Sequence, residues 1–255
     1  MLNKKSIVQE TVVSLSHFRM DFGNKTVIKD LSFEVYKGEI FGFLGSNGSG
    51  KTTTIRALLG LYQPTGGKLL VGEKPFSVSS GIKLGYLPEE RGLYKKESVI
   101  DVMLYFGQLK GLSRVDAKKR AEAYLARVNL SDKAKTRIDK LSGGQQQKVQ
   151  LGITIMNDPE LLILDEPTKG FDPVNRRLLM NIIEEHQRGG ATIVFVTHQM
   201  EEVERLCDRI ILLKDGVSRA YGTVADVKKE FGSASLDDVF IKVYGDENEQ
   251  TEGVH

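Results

Sequence analysis

Phe41 to Gly60, FGFLGSNGSGKTTTIRALLG, runs from an apolar stretch through a glycine-rich turn into a helical pattern closed by another glycine. Within it, GSNGSGKT at Gly45–Thr52 satisfies G-x-x-x-x-G-K-[ST], and the setting between a strand and a helix is what gives that pattern weight. Glycines at Gly45, Gly48 and Gly50 let the backbone of Ser46, Asn47, Ser49 and Thr53 curl so that N–H groups converge on phosphate oxygens. The helix start adds its partial positive charge. Lys51 would contact the terminal phosphates, and the Thr52 hydroxyl would ligate Mg²⁺. A chance match in a chain of this size is expected roughly once in a hundred, so an ordinary glycine-rich turn explains the stretch poorly.

Outward from this loop the pattern is that of an α/β protein. IVQETVVSL, LSFEV and EIFGFLG read as strands before the loop, and KLLV reads as a strand after the turn at Pro64, Gly66 and Gly67. From about Ser98 to Asn157 the pattern is helical throughout, with Ser113 and Asp116 resembling a capping box. After Pro159 strands and helices alternate again: LLILDE, a helix from Pro173 to about Gln187, ATIVFVTH, QMEEVERLC, RIILLKDG. Buried strands alternating with helices imply a mainly parallel sheet, here interrupted by a helical block.

Composition narrows the class. The 255 residues are 40% hydrophobic and 27% charged, with a net charge of +2. The short basic clusters do not make the sustained patch of a nucleic-acid protein. LLIL and RIILL fall far short of the roughly 18 to 20 apolar residues of a membrane span, and MLNKKSIVQE lacks a signal-peptide core, so a soluble, cytosolic chain is expected. The single Cys207 excludes an internal disulfide and reads as a small hydrophobe. The tail after Gly245, with four acids and no Lys or Arg, reads as frayed and solvated.

A second glycine cluster lies in KLSGGQQQKVQLGITI, Lys140 to Ile155, where Ser142, Gly143 and Gly144 precede a long amphipathic helix and so resemble another anion-binding helix start. LLILDEPT, residues 161 to 168, is a buried strand ending in two carboxylates. In a nucleotide-binding sheet that end faces the phosphates. Asp165 would bind Mg²⁺ and Glu166 would polarise the attacking water as general base. Alone, they would be two solvated acids at a strand end. His198 closes the strand TIVFVTH and suits a donor to the γ-phosphate or the water, although a strand-terminal histidine is often structural.

GSNGSGKT, LSGGQ, LLILDE and the later histidine, in this order and spacing, resemble the nucleotide-binding subunit of ATP-binding cassette (ABC) transporters from about Val13 to Gly222. LSGGQ is the most specific element; its five residues arise by chance in roughly one such chain in several thousand. The resemblance implies a P-loop (RecA-like) core of residues 1–88 and 158–231 that includes N-terminal antiparallel strands. It also implies a helical subdomain at 89–157 carrying LSGGQ, and a C-terminal helix and acidic tail at 232–255. It implies ATP and Mg²⁺ as cofactors, with Lys51, Glu166 and His198 catalytic. Phe22 resembles the aromatic that stacks on adenine, and could equally be core. Asp172 in TKGFDP resembles the aspartate that communicates between two sites, and also reads as a helix N-cap before Pro173. Ser142, Gly143, Gly144 and Gln145 would face the γ-phosphate held by a partner's Lys51 in a head-to-tail homodimer or heterodimer.

Two departures stand out. The family usually has Gln where GYLPEERG has Glu89, which puts metal ligation by Glu89 in doubt and adds negative charge that Arg91 or Mg²⁺ would have to offset. Phe171 in KGFD replaces the usual leucine. The helical block has the length of a transporter ATPase's small subdomain, and the Glu-Arg-Gly element of exporters that fuse cassette to membrane domain is lacking. The ending GTVADVKKEFGSASLDDVFIKVYG, with GYLPEERGLY, is similar to the separately encoded ATPases of bacterial ABC-2-type exporters, the sodium and antibiotic efflux group. The implied role is an ATPase at the cytoplasmic face of the membrane that drives a permease and binds no nucleic acid. A soluble ABC ATPase serving a cytosolic assembly such as iron–sulfur cluster biogenesis, or a nucleotide-gated module without hydrolysis, also fits these residues.

Overall fold

Alternating burial builds the first two strands of the computed structural model, which describes residues 9–75, 81–90 and 92–245. Arg91 and the acidic tail beyond Gly245 lie outside the described residues. β1 (Thr11–Phe22) and β2 (Lys25–Tyr36) pair antiparallel. β1 buries Val13 and Leu15, then Phe18 and Met20. The switch from odd to even positions is made by a bulge, where His17 sits at φ 49° and the register shifts between Leu15 and Phe18. One extra residue returns the inward face to the same side of the sheet.

The chain divides into two compact units, Met1–Gly81 with His198–His255, and Ile82–Thr197. In the first unit β3 (Ile40–Leu44) is buried at all five residues and runs parallel to β8 (Arg209–Lys214), with Phe41 opposite Arg209 and Leu44 opposite Leu212. β9 (Val217–Thr223) returns antiparallel through Asp215 and Gly216, whose φ values of 52° and 73° suit a two-residue hairpin turn. With β4 (Gly66–Val71) beside β1, the strand order is β4-β1-β2-β9-β8-β3. α1 (Lys51–Leu58) follows β3. α6 (Met200–Leu206), α7 (Val224–Glu230) and α8 (Leu236–Gly245) share one apolar cluster in which Val203, Val227, Leu236 and Val239 meet Leu44, Ile210 and Leu212. Cys207 packs against this cluster, and burial pushes its thiol pKa well up, as a small hydrophobe would require.

In the second unit β5 (Leu84–Leu87), β6 (Leu161–Asp165) and β7 (Thr192–Val196) are parallel in the order β7-β6-β5. The segment expected to be helical throughout holds α2 (Val99–Leu109), α3 (Arg114–Arg127) and α4 (Gly143–Ile155), with two single 3₁₀ turns at Ser131–Lys133 and Ile138–Lys140. α5 (Pro173–Arg188) precedes β7. α4 is not amphipathic as its sequence suggests, for it is buried continuously from Gln147 to Ile155 by α2, α3 and β5. Two of its buried polar residues find partners inside: Lys148 Nζ donates to the Val128 carbonyl at 3.2 Å, and Gln150 Nε2 donates to that of Glu90 at 3.2 Å, although Gln150 Oε1 is buried without a partner among the described residues. Among the described residues no helix is long and apolar enough to cross a membrane.

Candidate nucleotide-binding site

The buried end of β3 delivers the glycine-rich loop, and the loop's shape depends on residues without side chains. A Cβ at Gly50, which has φ 111°, would lie 2.3 Å from Ile28 Cδ1, and one at Gly45 would lie 2.5 Å from the Leu213 carbonyl oxygen. Both contacts are too close for any other residue. Gly50 is also the N-cap of α1, and no side chain caps that helix start or places an acid in its first turn. The first-turn N–H groups are therefore left for an anion. Lys51 Nζ folds over the loop and donates to the carbonyls of Gly45 at 2.7 Å and Ser46 at 3.0 Å. Ser49 Oγ is buried without a hydrogen-bond partner. Asn47, Gly48 and Thr52 are exposed, and Thr53 is half-buried behind them. An uncapped helix start, an ammonium folded over the loop and an orphaned hydroxyl fit a polyphosphate.

Phe22, at the end of β1, is 44% exposed and meets Tyr62 edge to face at 5.2 Å. Arg56 holds the Tyr62 hydroxyl at 3.2 Å. A base could stack on this exposed pair. Tyr62 was not singled out from sequence, because an aromatic after a helix-closing glycine carries no signal of its own. His198 is exposed, and β7 ends at Val196, so the histidine lies past the strand rather than at its tip.

In the second unit Asp165 and Glu166 stand at the carboxyl end of β6, each only 6% exposed. Glu166 has φ 48°, an uncommon left-handed conformation for a residue with a side chain. It is held there by its N–H bond to the Val196 carbonyl at 2.8 Å and by Thr197 Oγ, which donates to its Oε2 at 3.3 Å. Two buried carboxylates fixed by their backbone are suited to hold a cation and to accept a proton from water.

Glu89, in a segment that follows β5, is paired with Lys169 Nζ at 2.5 Å. Arg91, which the sequence offers with Mg²⁺ as the compensating charge, lies outside the described residues; among those described, Lys169 is paired with Glu89. That lysine's pKa is raised first by its bond to Glu89 and by the Glu89 charge, then by Glu166 and Asp165. The pair borders a cleft of about 600 Å³ lined also by Glu90, Lys95, Gln146, Gln147 and Gly170. Asp172 caps α5 by accepting from the amides of Val174 and Asn175, both at 3.0 Å, and these bonds lower its pKa.

At the start of α4 the reciprocal capping box is made by Ser142 and Gln145: Ser142 Oγ accepts from the Gln145 amide at 3.3 Å, and Gln145 Oε1 accepts from the Ser142 amide at 3.0 Å. Ser113, where a box was expected, accepts from the Asp116 amide at 3.0 Å but hands its own proton to the Asp116 carboxylate at 2.6 Å. Because the box spans Gly143 and Gly144, their amides are left without a partner among the described residues. The side chains of Ser142 and Gln145 thus shape the helix start, and the glycine N–H groups are the donors that it leaves open.

Comparison with known proteins agrees with this chemistry. Residues 28–169 match the family model described as ABC transporter. An uncharacterized ABC transporter ATP-binding protein of Methanocaldococcus jannaschii is 46% identical over 81% of this chain and 75% of its own length. The linearmycin resistance ATP-binding protein LnrL of Bacillus subtilis is 36% identical over 88% and 73%. The Nod factor export ATP-binding protein I of Cupriavidus pinatubonensis is 36% identical over 95% and 74%. A solved structure described as the ATP binding subunit of an ABC transporter superposes with a TM-score of 0.83 at 28% identity, covering 91% of this chain and 99% of that one. With the phosphate loop, the paired carboxylates and the glycine-led helix all present in a chain so related, the protein belongs to the ATP-binding subunits of ABC transporters.

Proposed function

We propose that this subunit hydrolyses ATP with Mg²⁺, dimerises head to tail around two ATP molecules, and drives a membrane permease in export from the cytoplasmic face. Lys51 and the N–H groups of Gly48 to Thr53 bind the phosphates, Phe22 takes the adenine, and Thr52 and Asp165 hold the metal. Mg²⁺ held there would supply positive charge beside the transferring phosphoryl group. Glu166 accepts the proton of the attacking water, and His198 donates to the same centre; positioning supplies most of the catalysis. Glu89 is committed to Lys169, so we assign it to charge balance and coupling rather than to the metal.

The observation that carries the dimer is the start of α4, where the Gly143 and Gly144 amides have no partner among the described residues in a chain that already has a phosphate loop. A second anion-binding helix start is accounted for when it serves the ATP of another copy. We assign residues 1–88 and 158–231 to the ATP-binding core, 89–157 to the helical subdomain and 232–255 to a C-terminal helix and tail. Export is supported by the names of the linearmycin resistance and Nod factor relatives. The permease is supported by an aromatic cluster in which exposed Tyr94 and Tyr105 meet each other and half-buried Phe106 ring to ring, the two tyrosines lining a hollow of about 410 Å³ with Glu97, Asp101 and Val102. Its test is co-purification: Tyr105→Asp with Leu109→Asp should abolish recovery of a membrane-spanning partner from solubilised membranes while leaving basal ATPase activity intact. Retained association would contradict the docking surface.

A further inference from the structure

The phosphate loop is held from outside by a residue that the family model does not reach. Tyr244, in α8, accepts a hydrogen bond from the Ser46 amide at 2.9 Å and donates its own proton to the Leu213 carbonyl at the end of β8. Its ring is fixed independently of the hydroxyl, since Phe240 lies 4.4 Å away centroid to centroid. Lys214 adds a second clasp, donating to the Val243 carbonyl at 2.9 Å and standing 5.5 Å from the Tyr244 ring centroid. Ser46 is therefore gripped at both ends of its residue: its N–H by Tyr244 and its carbonyl by Lys51 at 3.0 Å.

From this geometry we propose that Tyr244 is a positioning residue for ATP binding, which pre-sets the entrance of the phosphate loop by bridging it to β8. The inference rests on residues 45–52 being the phosphate-binding loop. The Leu213 carbonyl is the same atom that a Cβ at Gly45 would strike at 2.5 Å, so the hydroxyl sits at the closest approach of loop and strand. A loop already ordered before ATP arrives does not charge its ordering entropy to binding. Without the hydroxyl the Ser46 amide must turn to water, and the loop's entrance gains freedom that ATP then has to remove. Lys51, Glu166 and His198 keep their side chains, so the effect falls on affinity and not on the chemical step.

Tyr244→Phe in the full chain separates the hydroxyl from the ring. ATP titrated calorimetrically in EDTA should bind about fivefold more weakly, the value expected for one net hydrogen bond. In steady state KM for ATP should rise by a similar factor with kcat within twofold, and the thermal midpoint should be nearly unchanged because the Phe240 contact survives. In the wild-type protein the Ser46 amide should exchange slowly with deuterium before any nucleotide is added. Unchanged affinity with a lowered thermal midpoint would make Tyr244 merely structural and overturn the proposal, as would a freely exchanging Ser46 amide. Lys51→Ala is the comparator: if it leaves ATP affinity intact, the assignment of the loop fails, whereas lost affinity there beside full affinity in Tyr244→Phe rejects only the role of Tyr244.

Discussion

Lys169 Nζ lies 2.5 Å from Glu89 Oε1, joining two segments eighty positions apart in sequence. Glu89 stands where the family usually has an uncharged glutamine, so Lys169 cancels a charge that would otherwise add to those of Asp165 and Glu166. The pair is exposed, 58% for the lysine and 45% for the glutamate, so it contributes little to stability. Lys169→Ala is expected to lower kcat/KM for ATP several-fold with little change in thermal midpoint. Glu89→Gln introduced into that variant should restore most of the loss. A double-mutant cycle on ATPase rates checks this, and additive losses would show that the two charges act separately.

Asp172 tests whether a cap and a communicating residue can be told apart. Asp172→Ala removes the acceptor for the Val174 and Asn175 amides and should lower the thermal midpoint by roughly 2 to 4 °C. Asp172→Asn keeps an acceptor at the cap and should hold the midpoint. Any loss of cooperativity in ATP hydrolysis by the asparagine variant then reports the communicating role alone, and calorimetry beside a Hill analysis measures both.

Lys110 gives stability an alkaline pH dependence. Its ammonium donates to the Thr154 carbonyl at 3.0 Å, yet burial lowers its pKa to about 8 from the usual 10.5 of a lysine. The unfolded chain therefore binds more protons between about pH 8 and 10.5, so this group's contribution to stability rises with pH across that window. The full swing is on the order of 3 kcal/mol. Lys110→Met should flatten the rise of urea midpoint from pH 7.5 to 9.5; an unchanged slope would place the titration elsewhere.

Glu166→Gln should retain ATP and lose turnover by about 10²- to 10⁴-fold, the range for removal of a general base. Rapid filtration with labelled ATP alongside phosphate release measures the two together. Full residual hydrolysis would reject Glu166 as the base.

The phosphate loop was legible because its residues are contiguous and sit between two strongly patterned elements. The acids ending β6 were legible for the same reason. The Glu89–Lys169 pair was not, since it arises from the parallel register of β5 and β6, which sets Leu87 opposite Leu164 and brings the segments following both strands together. Helix α4 misled in another way: Lys148 and Gln150 look like a solvent face, but α2, α3 and β5 enclose them, and the carbonyls they donate to, Val128 and Glu90, come from the segments just after α3 and β5. Tyr244 carries no local signal either, because its partner Ser46 is met only when α8 folds back along β8. The glycine-led helix start was legible from Ser142, Gly143 and Gly144, but the capping box that Ser142 forms with Gln145, and the two glycine amides it leaves over, are properties of the folded helix start.

Sedimentation velocity of the Glu166→Gln protein in Mg²⁺ and ATP, with and without Ser142→Arg, tests the two-cradle account most directly. With Ser142 intact the account predicts a dimer, twice the 28.4 kDa of the chain. With Ser142→Arg it predicts a monomer that still binds one ATP. A dimer that survives Ser142→Arg, or a monomer that has lost ATP, would contradict it.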